Sequence, residues 1–386
     1  MSKIKGINLG SWLLMEGYIL GGPNIAESQI KKDFQKKHGK IELERFERLF
    51  RKNFIQKQDF KNIAQTKARY IRLPFNQKLI EKKPYSYSKT GTQFIKNALD
   101  WAAEFNLKVI LDLHAACGAQ NCDWHGDSTG LANFWQKKAY RNRAVKLWAY
   151  LSDKFNYHPG LGGYDLLNEP VTSKDKINLI KNYYKQAISA IKYNDKKNPI
   201  FLEGNCWAQQ IDFLTDLISE NVKISIHAYL PLSYTYDFIK GLSYPGKIEG
   251  QQWNKSTIYK YMKSYADFSK KNNVDILVGE FGINWRGGYW GEKKYLDDLL
   301  SVFDDYDFGY TYWTYKAIAN PTFPDGLFQY RGNNNYVKRE GPTYGWQNYT
   351  LYWKKEKSKI KNFWQTKNFT PNKELLAILK KHFVNS

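Results

Sequence analysis

Gly163-Tyr164-Asp165-Leu166-Leu167-Asn168-Glu169-Pro170 is an apolar run that ends abruptly in an amide, a carboxylate and a proline. Tyr164, Leu166 and Leu167 can pack a strand on both faces, as a helix-covered parallel sheet requires. Pro170 has no N–H to give a ladder, so the strand stops just after Glu169 and leaves Asn168 and Glu169 at its carboxyl end. Residues 276–282 (Ile-Leu-Val-Gly-Glu-Phe-Gly) repeat the arrangement and deliver a second carboxylate, Glu280. A strand ending in an ordinary polar turn would explain either stretch alone. Two of them suggest a working pair.

Outward from these, further apolar runs read as strands at 4–10, 68–75, 108–114, 199–204, 223–229 and 309–315, which makes eight with 163–168 and 275–280. Between them lie residues at helical spacing, such as Phe94, Ala98, Leu99, Ala102 and Phe105, and then Trp135, Leu147, Trp148, Leu151 and Phe155. Eight strands alternating with helices predict a parallel sheet closed into a single (β/α)8 TIM barrel of the α/β class. No internal repeat and no linker rich in Pro, Gly or Ser divides residues 1–386, so one domain is expected. Long excursions follow strand one (17–65, helix-bearing), strand three (121–127) and strand eight. The last, 317–365, reads as irregular, with Pro321, Pro324, Gly326, residues 333–335, Pro342, Trp346 and Trp353. Loops of that length in a compact domain are usually functional. Thr370-Pro371 predicts the start of the closing helix, ahead of Leu375, Leu376 and Leu379.

Composition narrows the function classes. Apolar residues make up 42% of the 386-residue chain, enough for a large core, and aromatics 17%, with Tyr 29 and Trp 13, which fits a cleft that stacks flat, partly apolar ligands. An AT-rich genome would also enrich Lys, Asn, Ile and Tyr. The net charge of +22 is spread over lysine pairs such as Lys31-Lys32, Lys137-Lys138 and Lys270-Lys271, as on the solvated faces of separate elements. No nucleic-acid motif accompanies the charge, so no specific nucleic acid is expected as partner. No run of about 18 apolar residues predicts a membrane span. Three cysteines cannot all pair, and no secretory leader is read at the N-terminus, so a reducing, cytoplasmic compartment is expected unless a leader has been removed.

Barrel active sites are built at the carboxyl ends of the strands, and those ends are polar here. Strand two ends in Arg72-Leu73-Pro74, strand three in Asp112-Leu113-His114, strand four in Asn168-Glu169, strand six in His227-Ala228-Tyr229, strand seven in Glu280 and strand eight in Trp313. In this order and on these strands, Arg72, His114, Asn168, Glu169, His227, Tyr229, Glu280 and Trp313 resemble the signature of glycoside hydrolase family 5, the cellulase-like family of retaining (β/α) barrel enzymes. Residues 6–12 (Gly-Ile-Asn-Leu-Gly-Ser-Trp) with Glu16, and residues 111–121, are similar to its exo-β-1,3-glucanase branch. Cys117, Cys122 and the stretch Asp123-Trp124-His125-Gly126-Asp127 depart from that branch.

The resemblance implies a cofactor-free retaining β-glycosidase acting on a β-glucan or β-glucoside, with Glu280 the nucleophile and Glu169 the acid/base. Such chemistry needs Glu280 ionised, helped by Arg72 and Tyr229, and Glu169 able to hold a proton near neutral pH. Asn168 suits the sugar 2-hydroxyl, His227 tunes Glu169, Trp313 offers the sugar an apolar face, and His114 and Glu16 contact it. Trp124 and His125 are expected to close one end of the cleft, which favours exo action; an endo-β-1,4-glucanase is the alternative within the family. Trp124 packed on a neighbouring loop is the plain structural reading. Glu203 on strand five receives no catalytic role. Cys117, Cys122 and His125 lack an obvious fourth ligand for zinc, so no metal is expected, and a Cys117–Cys122 disulfide or two free thiols remain open. A barrel that binds carbohydrate without cleaving it would be expected to lose one glutamate. A monomer is expected.

Overall fold

The computed structural model describes residues 3–330 and 345–384. Its centre is a closed barrel of parallel strands in chain order: β1 (Lys5–Asn8), β2 (Tyr70–Asn76), β3 (Lys108–Ala115), β4 (Leu161–Asp165), β5 (Ile200–Glu203), β6 (Val222–His227), β7 (Ile276–Phe281) and β8 (Gly309–Tyr312). β8 pairs back onto β1 with Lys5 opposite Tyr310, so no edge is left exposed. Nearly every residue of these strands is buried, because helices cover the outer face and side chains fill the inner one. The eight strands expected from sequence are all present, with ends shifted by a few residues.

The excursion after β1 carries α1 (Glu27–His38), α2 (Lys40–Phe54) and α3 (Lys57–Gln65). The outer layer continues with α4 (Lys89–Glu104), α5 (Lys138–Phe155), α6 (Ile177–Asn194), α7 (Lys255–Asn272) and α8 (Glu292–Asp305). In α4 the apolar residues Phe94, Ile95, Ala98, Leu99 and Ala102 recur at three and four and bury one stripe, while Ser88 caps its first turn by accepting from the Gly91 N–H.

Two expectations are corrected past β8. Residues 346–363 are helical, α9 (Trp346–Phe363), not irregular. Trp346, Tyr349, Trp353, Ile360 and Phe363 form its buried stripe, diluted by lysines, and the Trp353 indole donates to Glu42 Oε2 at 2.9 Å on α2. Residues 333–335 and Pro342 lie outside the described residues. Thr370–Pro371 is a short strand against Phe328 and Gln329 and does not open the closing helix, α10 (Lys373–Val384). Asn372 caps it instead, accepting from the Leu375 N–H at 3.2 Å. Among the described residues no helix is long and apolar enough to cross a membrane.

Candidate active site

The floor of the barrel mouth is organised by Arg72. Side chains from across the barrel converge on its guanidinium: Nε donates to Asp165 Oδ2 (2.8 Å), Nη2 to Asn168 Oδ1 (2.8 Å) and Glu203 Oε1 (2.9 Å), and Nη1 to Asn8 Oδ1 (3.2 Å) and Glu280 Oε1 (2.7 Å). Asp112 Oδ2 lies 3.1 Å from Nη2. Arg72 is fully buried, and one cation cannot compensate four buried carboxylates. Burial accordingly pushes Asp112 up to about 7 and Asp165 well above the carboxylate range, so the cluster sheds charge by keeping protons. Asp112, Asp165 and Glu203 offer oxygens close enough to hold a metal ion, but Arg72 already supplies the positive charge there.

Above that floor Glu169 and Glu280 share His227. One oxygen of each glutamate and a ring nitrogen of His227 lie within 4.8 Å of one another. Glu280 accepts from Arg72 Nη1 through Oε1 and from the Tyr229 hydroxyl through Oε2 at 2.9 Å. Glu169 Oε1 is 2.7 Å from His227 Nδ1, and its Oε2 is 3.4 Å from His125 Nε2. Glu169 adopts a left-handed φ of 46°, which turns the chain at the strand end, and its N–H donates to Glu203 Oε2 at 2.6 Å. Glu203 thus braces Arg72 and the backbone of Glu169.

The protonation of Glu169 differs from expectation. Burial raises the Glu169 carboxyl, but the His227 hydrogen bond and the charges of His125 and His227 outweigh it and bring the group down to about 2. The proton expected on Glu169 is held by its neighbours. Burial disfavours a charged ring at His125, yet the hydrogen bond to Asp123 and the charge of Glu169 raise it to about 9. Burial likewise opposes charge on His227, and Glu203 and Glu280 raise it well above the ordinary range. His114 goes the other way: burial lowers it to about 3, and the neutral ring hydrogen-bonds Asp112 through Nδ1 at 2.6 Å.

The pair faces a cavity of about 390 Å3. Of the residues singled out in the sequence, Glu16, His114, Trp124, His125, Glu169, His227, Tyr229, Glu280 and Trp313 line it, whereas Arg72 and Asn168 do not and lie in the floor. Asn168 gives its oxygen to Arg72, which leaves its Nδ2 donor unpaired. Glu16 is 2% exposed, and burial pushes its carboxyl well above the usual range; its Oε1 has no partner. The Trp313 ring stacks on His114 at 5.5 Å, and its indole N–H donates to the Tyr18 hydroxyl. Trp124 packs edge-on against Tyr18 (5.8 Å) and Phe323 (6.1 Å), so it both packs on neighbouring loops and faces the cavity.

Asp123, in the stretch singled out from the sequence but given no role of its own, also lines the cavity, as do Tyr18, Trp207, Tyr236, Phe238 and Phe323, which were missed because no motif pointed to them. The cysteines are free: Cys117 is buried with Sγ 3.1 Å from Arg143 Nη2, and Cys122 is exposed, so the two-thiol alternative holds.

The cellulase model (glycosyl hydrolase family 5) matches residues 33–318. A beta-xylosidase of Phanerodontia chrysosporium is 28% identical over 331 residues, covering 82% of this chain and 67% of the xylosidase. Endoglucanase C of Acetivibrio thermocellus is 24% identical over 81% of this chain and 91% of its own length, and glucan 1,3-beta-glucosidase 3 of Schizosaccharomyces pombe is 24% identical over 82% and 69%. The endoglucanase Cel5A of Thermotoga maritima superposes with a TM-score of 0.63 over 97% of this chain and 96% of its own, at 17% identity, which speaks for the fold.

Proposed function

The chain belongs to glycosyl hydrolase family 5 and is a retaining β-glycosidase, and on that premise we propose that Glu280 is its nucleophile, Glu169 its acid/base, and the end of a β-1,3-linked glucan or a β-glucoside its substrate. The observation that carries the assignment is the closeness of the two carboxylates, with oxygens within 4.8 Å. Retaining enzymes hold their carboxyl groups about 5–5.5 Å apart, and inverting enzymes need about 6.5–9.5 Å to admit a water.

Glu280, aimed by Arg72 and Tyr229, attacks the anomeric carbon as the bond to the leaving oxygen breaks. Glu169, ionised at rest, takes the proton of the His227 ring across their 2.7 Å contact and passes it to that oxygen. A water then attacks the same carbon as the bond to Glu280 breaks, and Glu169 takes the water proton and returns it to His227. Trp313 and His114 form the wall on which the sugar rests, and the floor amide of Asn168 suits its 2-hydroxyl.

Exo action is supported by the aromatic wall of Tyr18, Trp124 and Phe323 and by the unpaired Glu16 oxygen, which together suit the hydroxyls of a terminal ring, with His125 shaping the pocket beside them. Endo cleavage is the second reading, favoured by the endoglucanase relative. Lys5 Nζ donates to the His382 carbonyl and ties α10 to β1, which supports one catalytic domain, and the enzyme is proposed to act as a monomer. Early products from laminari- and cello-oligosaccharides, with aryl β-glucoside and β-xyloside run alongside, test the reading. Glucose released from the start supports it, and a ladder of intermediate oligosaccharides preceding glucose overturns exo action.

A further inference from the structure

One carboxylate joins the two loops that close an end of the cavity. Glu16 and Tyr18 stand on the excursion after β1, and Trp124 and His125 on the loop after β3. Helix α1, on that excursion, begins after Ala26, which has no side-chain oxygen to cap it. The acceptor comes from 99 residues further along the chain, where Asp127 Oδ1 accepts from the Ser28 N–H at 2.7 Å. Asp127 Oδ2 accepts from Asn76 Nδ2 at the end of β2 (3.1 Å) and from Lys78 Nζ (2.7 Å). Burial opposes charge on Asp127, yet Lys78 and these hydrogen bonds outweigh it and hold the carboxyl below its usual range. The cap is thus an anion at the positive end of a helix dipole.

The turn that carries Trp124 and His125 is held at both ends. At the near end Asn121 Nδ2 donates to the Glu169 carbonyl at 3.0 Å, and Asn121 Oδ1 accepts from the Asp123 N–H. A Cβ at Gly126 would lie 2.7 Å from that oxygen, so the turn folds tightly over Asn121. At the far end Asp127 turns the chain with a left-handed φ of 56° and is 7% exposed. Between these anchors Trp124 packs edge-on against Tyr18 at 5.8 Å, and His125 Nε2 stands 3.4 Å from Glu169 Oε2. Asp127, Ser28, Asn76 and Lys78 are all outside the cavity lining, so this carboxylate acts only through the loops it joins.

We propose that Asp127 is a positioning residue for exo specificity: by capping α1 from the loop after β3 it holds Trp124 and His125 against Tyr18 and closes the end of the cavity on the terminal ring. The inference rests on the exo reading above and names the group that enforces it. Once the cap is lost, Trp124 parts from Tyr18, a longer chain passes between them, and His125 leaves Glu169.

The test compares Asp127→Ala and Asp127→Asn with the wild type and with Asn372→Ala, which removes a helix cap outside the cavity lining. Early products from laminari-oligosaccharides give the ratio of intermediate oligosaccharides to glucose, which is internal to each preparation and does not depend on how much of a variant is folded. The ratio should rise about tenfold or more in Asp127→Ala. It should rise less in Asp127→Asn, which keeps an acceptor for Ser28 but turns a donor toward Asn76 and Lys78. Asn372→Ala should keep the wild-type ratio. On an activated aryl β-glycoside the acidic limb of kcat should move to higher pH in Asp127→Ala, because the charge of His125 is withdrawn from Glu169. A wild-type ratio with an unmoved limb in whichever Asp127 variant folds, or an equal rise in Asn372→Ala, overturns the inference alone. A ladder of intermediates from the wild type overturns the exo reading and the inference with it.

Discussion

Glu280 receives its hydrogen bonds from a guanidinium and a phenol, Arg72 and Tyr229, whereas Glu169, on the other side of His227, is approached by two imidazoles, His227 and His125. A guanidinium stays charged at any pH a protein survives, so the hydrogen bond that Glu280 accepts from Arg72 is constant, and His227, 3.6 Å from Glu280 Oε2, is the ring that it shares with Glu169. Imidazoles gain and lose protons near neutrality, so the surroundings of Glu169 store a proton that can move. The contrast matches the proposed division of labour. A nucleophile begins each turnover in the same state, while an acid/base must give up a proton and recover it.

Breaking the constant side should cost most. Glu280→Gln keeps the shape and the acceptor for Arg72 but removes the attacking oxygen, and turnover should fall by about ten-thousand-fold or more with the melting temperature near that of the wild type. Near-normal turnover by a folded variant, measured on an aryl β-glycoside, would contradict the assignment. The movable side should give a substrate-dependent loss. Glu169→Ala is expected to lose about a hundred- to ten-thousand-fold on substrates with poor leaving groups and far less on activated ones. Azide, which needs no general base, should restore the second step. Equal losses on both substrate types with no azide effect would show that Glu169 does not handle the proton.

The same division governs what could be read from the sequence. The barrel was legible because each strand repeats one signal, an apolar run ending in a polar residue, and eight such ends in order over-determine the fold. The pair Glu169 and Glu280 was legible for the same reason. Helix α9 was not, because lysines dilute its stripe and the residues before it are rich in Pro, Gly and Asn. Asp165 received no reading of its own within its apolar strand; its purpose, a hydrogen bond from Arg72, depends on a partner 93 residues away. The aromatic wall of Tyr18, Tyr236 and Phe323 comes from three loops that carry no motif and meet only through tertiary packing. Proton placement was the least legible, since it is set by summed burial and charge in the assembled site.

His125→Asn sharpens the comparison with the smallest change, because it removes one movable proton and leaves Glu169, His227 and Glu280 in place. His125 adds positive charge beside Glu169 and helps hold that carboxyl near 2. Without it the carboxyl must rise. With an activated substrate, where the second step limits and Glu169 must be ionised to act as base, the acidic limb of kcat should therefore move to higher pH. Stability gives an independent reading of the sign. The ring titrates at about 9 in the folded protein against an ordinary 6.5, so the folded state binds more protons than the unfolded one between those values. The stabilisation is fully present below about pH 6.5 and is lost as pH rises through 9; its upper limit is about 3–4 kcal/mol. Burial lowers Lys316 to about 8, which changes stability in the opposite sense above that pH, but it does so in both proteins and cancels in their difference. The gap in melting temperature between wild type and His125→Asn should thus be widest near pH 6 and close toward pH 9.5. A gap independent of pH, with an unmoved acidic limb, would mean that His125 only fills space beside Glu169.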